Sequence, residues 1–368
     1  MTATAHLPLL GIRVVDLTSN IAAPFAGAVL ADLGADVVHV ESRAGDDSRQ
    51  MAPRVGDTSA YWQVVNRNKR VLQVDIRETG DRRVIDGLLA DADVFITNLR
   101  PGKLVRYRLD AAALRERHPR LIHATLSAYG STGDERDRPG YDAVLQSRTG
   151  IAEVTGTGDG PPVRAGVSLL DVGSGTWLAL GVIAALLRRE RTGEGGAVAT
   201  SLFETGANWV AYHVAAFQIS GRPSGRHGSG HPAFAPYGIF PTRDGQVCLG
   251  IGSDDLFLRL CTALGVPALA EDPRFARNVD RVANVAALNA ILDDLLTRLS
   301  ATEVVQRLNP HGIACDVVRK PEDLLDDPQA DATGLLVSTE VTGFGTLRFP
   351  GLPLTIDGSR PQVRPQAR

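Results

Sequence analysis

The sequence predicts an α/β protein in two parts, a larger one built on a parallel sheet and a smaller α+β one. Three observations carry this. The 368 residues exceed a single domain of ~150 residues and are enough to bury full cores without disulfide or metal staples. Apolar runs and helical stretches alternate through the first third of the chain, which is how βαβ units are written. A stretch rich in glycine, GRPSGRHGSG at 221–230, then interrupts the pattern and reads as a flexible linker.

The elements follow in order. IRVVDL at 12–17 is a strand, the apolar stretch that ends at Leu33 a helix stopped by Gly34, and 37–40 a second strand. VLQVDI at 71–76, VFIT at 94–97 and LIHATL at 121–126 continue the strands, with helices at 81–91 and 103–117 between them. Runs this apolar belong to strands covered on both faces. Helices at 141–154 and 172–190 complete the large part. Beyond the linker come a strand at 246–252, a helix at 254–264, two helices within 282–308 broken near Ser300, and short strands in LLVSTEV and GTLRFPG. The expected domains are 1–220, 221–331, and a C-terminal segment 332–368 returning to the first.

Composition excludes several classes. With 43% hydrophobic and 22% charged residues the chain has the balance of a soluble globular protein, and a net charge of -3 provides no field for a polyanion, so nucleic acid is not an expected partner. Cys248, Cys261 and Cys315 are too few and too scattered for a disulfide framework or a metal site, which fits a reducing cytoplasm. The N-terminus lacks the basic and apolar regions of a signal peptide. The uncharged run 172–187 falls short of the ~20 residues a bilayer span needs and reads as a buried helix.

Few residues stand out for chemistry. The first βα turn, Ser19-Asn20-Ile21-Ala22-Ala23-Pro24, has no GxGxxG, so Glu41 after the second strand is a poor sign of a dinucleotide site. Asp171 is the only charged side chain between Ala165 and Leu187. It reads either as the N-cap of the following helix or as a desolvated nucleophile or base approached past Gly173 and Gly175. Asn98-Leu99-Arg100-Pro101-Gly102 follows a strand, at the sheet edge where open α/β folds bind ligands, or is a plain turn. Arg77, Arg100, Lys103, Arg106 and Arg108 could meet a polyphosphate. His227 and His231 lack the partners of a metal site and read as loop histidines.

Six segments taken together resemble the family III coenzyme A transferases: LLGIRVVDLTSNIAAPFAGAVLADLGADVVHVES, NRNKRVLQVDI, ADVFITNLRPG, RPGYDAVLQSRTGI, DVGSGTWLALGVIAALLRRERTGEG and HPAFAPYGIFPTRDG. The resemblance runs from about residue 8 to about residue 357. It implies a large Rossmann-like domain, a small domain, and two subunits interlocked as a homodimer. It implies Asp171 as the catalytic residue, which carries the acyl group as a mixed anhydride and then coenzyme A as an aspartyl thioester. Coenzyme A, as part of the substrate rather than a tightly bound cofactor, is expected at Ile21, Ala22, Ser42 or Arg43, Val74 to Arg77, Asn98, Leu99, Arg100, Arg106 and Arg138 to Tyr141. The expected partners are an acyl-CoA and a carboxylic acid, with no membrane and no metal.

Two departures stand beside the resemblance. The family's closing PPxLGEHT-like segment and further helix are replaced by RPQVRPQAR, which bears on how completely the C-terminal segment closes the site. The related α-methylacyl-CoA racemases carry histidine where Tyr141 stands here, and racemisation needs two groups on opposite faces of a carbon. A phenol is a poor base near neutral pH. Transfer is therefore the expected reaction, with racemisation or a non-catalytic coenzyme-A-binding role as the alternatives. The 141–155 stretch and HPAFAPYG resemble the succinyl-CoA-dependent dicarboxylate branch more than the formyl/oxalate branch.

Overall fold

Six short runs pair into one sheet: β1 (Arg13–Leu17), β2 (Asp36–Glu41), β3 (Arg70–Gln73), β4 (Val94–Thr97), β5 (Ile122–Ser127) and β6 (Gly196–Ser201). The order is β3-β2-β1-β4-β5-β6, and every neighbouring pair is parallel. This is the doubly wound order, with a reversal of direction between β1 and β4. The computed structural model describes residues 7–363.

Alternation along the strands supplies a core on each face of the sheet. Val14 and Ile96 pack with Leu30 of α1 (Ala22–Asp32) on one side, whereas Val15 and Phe95 pack with Ile85 and Leu89 of α2 (Thr79–Ala90) on the other. The first side is deepened by a long helix, Leu169–Thr192, which contributes Leu170, Leu178 and Val182. Its Ser174 hydroxyl donates to the Thr205 hydroxyl at 2.8 Å, fastening it to the helix Leu202–Trp209.

Several elements differ from the sequence reading. The stretch 103–117 is two helices, α3 (Pro101–Arg106) and α4 (Ala111–Arg117), because Arg108 between them takes a left-handed φ of 51°. The stretch 141–154 divides at Gly150 into α5 (Asp142–Arg148) and a single turn, Ile151–Val154. Strand β6 was not expected: its residues alternate between half-buried and exposed, as befits the edge of the sheet. The long helix, α6 (Leu169–Thr192), has the length and hydropathy of a bilayer span, but half of its most apolar window is packed inside the protein.

The chain forms two units. One comprises the described parts of Met1–Ile151, Ala165–Ala215 and Leu325–Arg368, and the other Ala152–Arg164 and Ala216–Leu324. In the first, a C-terminal hairpin, Leu336–Val341 with Gly345–Pro350, precedes Leu352, which joins the core beneath α1 and α6. The closing residues 364–368 of RPQVRPQAR lie outside the described residues.

The second unit has an antiparallel sheet of Tyr237–Pro241, Gln246–Gly250 and Ala314–Val317, whose Phe240, Val247 and Leu249 pack against Phe257, Leu288 and Leu308. The expected break near Ser300 is a capping box, with Ser300 and Glu303 satisfying each other's backbone N–H. The glycine-rich stretch is less free than its composition predicts. Gly228 N–H donates to the Gly156 carbonyl at 2.8 Å and Gly230 N–H to that of His227 at 2.8 Å. Arg226 reaches back to the Glu153 carboxylate at 2.9 Å.

Candidate active site

The reversal of strand order leaves an open crevice at the carboxyl ends of β1 to β4. Its volume is about 590 Å³, and Ser42, Arg43, Val74, Arg77, Asn98 and Leu99 are among its lining residues. Asn98 closes its floor: the side-chain oxygen accepts from Ser19 N–H at 3.1 Å, and the amide donates to the Ser19 carbonyl at 2.8 Å. These two bonds tie the end of β4 to the turn after β1, so the turn is pinned rather than plain. An adjoining hollow of about 440 Å³ shares Arg77 and Tyr107 with the crevice and adds Arg82, Arg106, Arg108 and Arg117. Two of the crevice arginines are already engaged, Arg43 with Asp81 at 2.8 Å and Arg77 with Asp75 at 2.6 Å.

Beneath the crevice lies a buried ionic cluster. Lys69 Nζ donates to Asp16 Oδ2 at 2.8 Å, to the Pro24 carbonyl at 2.7 Å and to Asn66 Oδ1 at 2.7 Å, and none of the lysine or aspartate side chain is exposed. His39 Nδ1 stands 3.4 Å from the same aspartate. Burial alone would raise the Asp16 carboxyl, but the charges of Lys69 and His39 outweigh it and hold the group well below the usual range. Burial lowers Lys69 despite that carboxylate. The cluster fixes the first turn of α1 to β1, with Lys69 satisfying a carbonyl of that helix.

Glu41 has no ribose-binding role to offer. Both of its oxygens are held by Arg49, at 2.6 and 2.9 Å, and one also accepts from Asp46 N–H at 2.6 Å. The Arg49 guanidinium in turn lies 3.8 Å over the Trp62 ring.

Not every expected residue joins the crevice. Ile21 is the N-cap of α1 and Ala22 its first residue; neither lines the crevice, and Ala22 meets α6 instead, since a Cβ on Gly175 would come within 2.5 Å of the Ala22 carbonyl. Arg100 is exposed ahead of α3, outside the lining. Arg138 pairs with Glu135 at 2.5 Å and lies 5.4 Å over the Tyr129 ring. Tyr141 is 71% exposed, just before α5.

Asp171 is not the cap of its helix. Ser168 occupies the N-cap position of α6 without a side-chain bond, and Asp171 sits within the first turn. The capping oxygen comes from another element: Asp142 Oδ2 accepts from Leu170 N–H at 2.7 Å and from Asp171 N–H at 3.2 Å. Among the described residues, nothing donates a hydrogen bond to the Asp171 carboxylate. Burial, and then the Asp142 charge, push its pKa up to about 7. The glycines after it do not hold an approach open. Gly173 packs against Trp209 and Thr205, and Gly175 against Ala22 and Phe25, so both serve close helix packing.

Sequence reasoning missed Asp142 and Lys69. Both lie within segments that look familial, GYD and NRNKR, but their partners are 28 and 53 residues away. A hint was available in Asp142 and Gln146, one turn apart on a helix. His227 and His231 line a separate cavity inside the second unit, where the His231 ring lies tilted against those of Phe234 and Tyr237 at 5.1 and 5.5 Å. Among the described residues, no three His, Cys, Asp or Glu side chains gather as a metal ion requires.

Similarity to known proteins places this arrangement. The sequence model of CoA-transferase family III matches residues 9–367. The chain belongs to that family. Acetyl-CoA:oxalate CoA-transferase of Acetobacter aceti is 35% identical over 363 residues, covering 98% of this chain and 92% of that protein. Succinate–glutarate CoA-transferase of Agrobacterium fabrum is 34% identical over 365 residues, covering 97% and 91%. The crystal structure of a CAIB/BAIF family protein from Brucella suis matches with a TM-score of 0.86 at 34% identity, covering 97% of this chain and 94% of that one. As a CoA-transferase the chain is an enzyme, and its relatives act on acyl-CoA and carboxylic acids.

Proposed function

We propose that this CoA-transferase moves coenzyme A from an acyl-CoA to a carboxylic acid through Asp171. The observation that carries the reading is a half-buried carboxylate that receives no hydrogen bond among the described residues, with a pKa raised to about 7 beside a second carboxylate. A carboxylate stripped of water and of donors is a stronger nucleophile than a solvated one. It attacks the thioester carbonyl, the carbon–sulfur bond breaks, and the thiolate leaves with the electron pair. The thiolate then attacks the aspartyl carbonyl of the mixed anhydride, releasing the first acid and leaving an aspartyl-CoA thioester. The acceptor repeats both steps in reverse.

The crevice at the carboxyl ends of β1 to β4 suits the nucleotide end of coenzyme A. Arginines of the crevice and its side hollow can meet the phosphates, with Arg77 on the border of the two. Both named relatives act on a dicarboxylate, oxalate in one and succinate and glutarate in the other, which supports a dicarboxylic acid as one substrate. The homodimer reading is supported by exposed apolar surface. Helix Ala211–Ser220 buries no residue, although it carries Tyr212, Phe217 and Ile219, and the outer face of α6 exposes Trp177, Leu180 and Leu187.

The test is Asp171→Asn, which removes the nucleophile and keeps the shape. Transfer from succinyl-CoA to a panel of mono- and dicarboxylic acids, read by mass spectrometry, should fall at least about a thousandfold. Borohydride should trap the thioester on the wild type alone. Near-full turnover by the Asn variant sinks the reading.

A further inference from the structure

We infer that Asp142 is the positioning residue of this active site, holding the turn that carries Asp171 and keeping a like charge behind it. The inference rests on the reading of Asp171 as nucleophile.

The geometry is a chain of buried and partly buried bonds across three segments. Gln146 is fully buried on α5, one turn after Asp142, and its amide donates to Asp142 Oδ1 at 2.5 Å. Its carbonyl accepts from Ala165 N–H at 2.8 Å, which anchors the strand of chain leading into α6. The other Asp142 oxygen takes the N–H groups of Leu170 and Asp171 at 2.7 and 3.2 Å. With one oxygen fixed from behind and the other spanning two donors, the Asp142 carboxylate cannot rotate without losing bonds. Ser168 stands at the N-cap position, where a serine commonly supplies an uncharged capping oxygen, but its side chain makes no such bond. Here the cap comes from a different helix and brings a carboxylate beside the nucleophile.

The charged groups on the elements packed against α6 are Asp32 on α1, Asp142 and Arg148 on α5, His123 on β5 and Glu204 on helix Leu202–Trp209. Of these, only Asp142 acts on Asp171, and its effect adds to that of burial. The consequence for the reaction follows from charge movement. When an Asp171 oxygen bonds to the thioester carbon, the negative charge passes from the aspartate to the departing sulfur. The repulsion from Asp142 is present before this step and relieved by it. The anhydride and the aspartyl thioester are both uncharged at this position, so Asp142 favours each of them over the free carboxylate.

The readout is the acid limb of kcat/KM for one acyl-CoA, compared between enzymes. The substrate's own ionisations are common to both and drop out of the difference. In the wild type the limb should lie near pH 7, not near the ordinary carboxylate range. Asp142→Asn and Asp142→Ser both remove the charge but cap α6 with different oxygens. Both should move the limb to lower pH by about the same amount and lower the plateau rate at least about tenfold. A role confined to capping would lower the rate and leave the limb where it was, and that result overturns the inference in whichever variant folds. A wild-type limb near pH 4 overturns it without any variant. If instead Asp171→Asn turns over normally, the nucleophile reading itself has failed.

Discussion

The crevice and the Asp171 turn treat their charges in opposite ways. In and beneath the crevice most charges have a counter-charge in contact: Arg43 with Asp81, Arg77 with Asp75, Glu41 with Arg49 and Lys69 with Asp16. At the start of α6 a carboxylate stands with no donor among the described residues, and its charged neighbour is another carboxylate. Pairing stabilises the ionised form and produces a fixed, polar surface suited to holding a ligand. Withholding the partner raises the energy of the ionised form and produces a group that gains by reacting. On the reading proposed above, the first region suits binding and the second suits the making and breaking of bonds.

Removing one partner from the paired side should have the largest effect on stability. Lys69→Met leaves Asp16 buried against His39 without its lysine, and a broken buried pair typically loses ~3–5 kcal/mol. Urea unfolding followed by circular dichroism checks this. A loss under ~1 kcal/mol would mean that the cluster relaxes by taking up water or protonating Asp16.

The unpaired side predicts the opposite sign. The Asp171 pKa is raised in the folded protein, so the folded state holds a proton that the unfolded chain releases at lower pH. Wild-type stability is therefore lost as pH rises from the unfolded pKa near 3.8 through about 7. Asp171→Asn escapes this loss. At pH 8 the Asn variant should be more stable than wild type by up to roughly 4 kcal/mol, at ~1.4 kcal/mol per pH unit. The difference should vanish at low pH, and an advantage of equal size at pH 4 and pH 8 would show that charge is not its origin.

Charge removal at the crevice is milder. Arg77→Gln with Arg106→Gln should raise KM for acyl-CoA roughly tenfold or more per arginine and leave kcat nearly unchanged, as for groups that only hold a ligand. An unchanged KM would move the phosphates elsewhere. The smallest effect is expected at Tyr141→Phe. This exposed phenol should be dispensable for transfer, within about twofold. The wild type should also place no deuterium at the α-carbon of a 2-methylacyl-CoA in heavy water, whereas incorporation that disappears in the Phe variant would restore the racemase alternative.

The fold was legible where local pattern decides it. Val94–Thr97 is buried along its whole length and reads as a strand on sight, and Ser300 with Glu303 announces a helix start. Strand β6 was illegible because an edge strand with mixed exposure carries no apolar run. At the site, Asp171 was conspicuous as a lone charge, but its relation to Asp142 depends on a contact between distant segments. The sequence suggested a cap because an aspartate before glycines resembles one. The structure assigns that work to Asp142, and so leaves Asp171 free of the bonds that would have quieted it.

The close fit of α6 against its neighbours bears on what moves during a turnover. A side chain on Gly173 would strike Trp209, and one on Gly175 would strike the backbone of α1, so the first two turns of α6 are wedged from two directions. A helix seated this way has no slack with which to swing its carboxylate between an acyl carbon and a sulfur. Under the mechanism proposed for Asp171, the travelling atoms are those of the substrate, whose long arm advances, withdraws and returns past the aspartate oxygen.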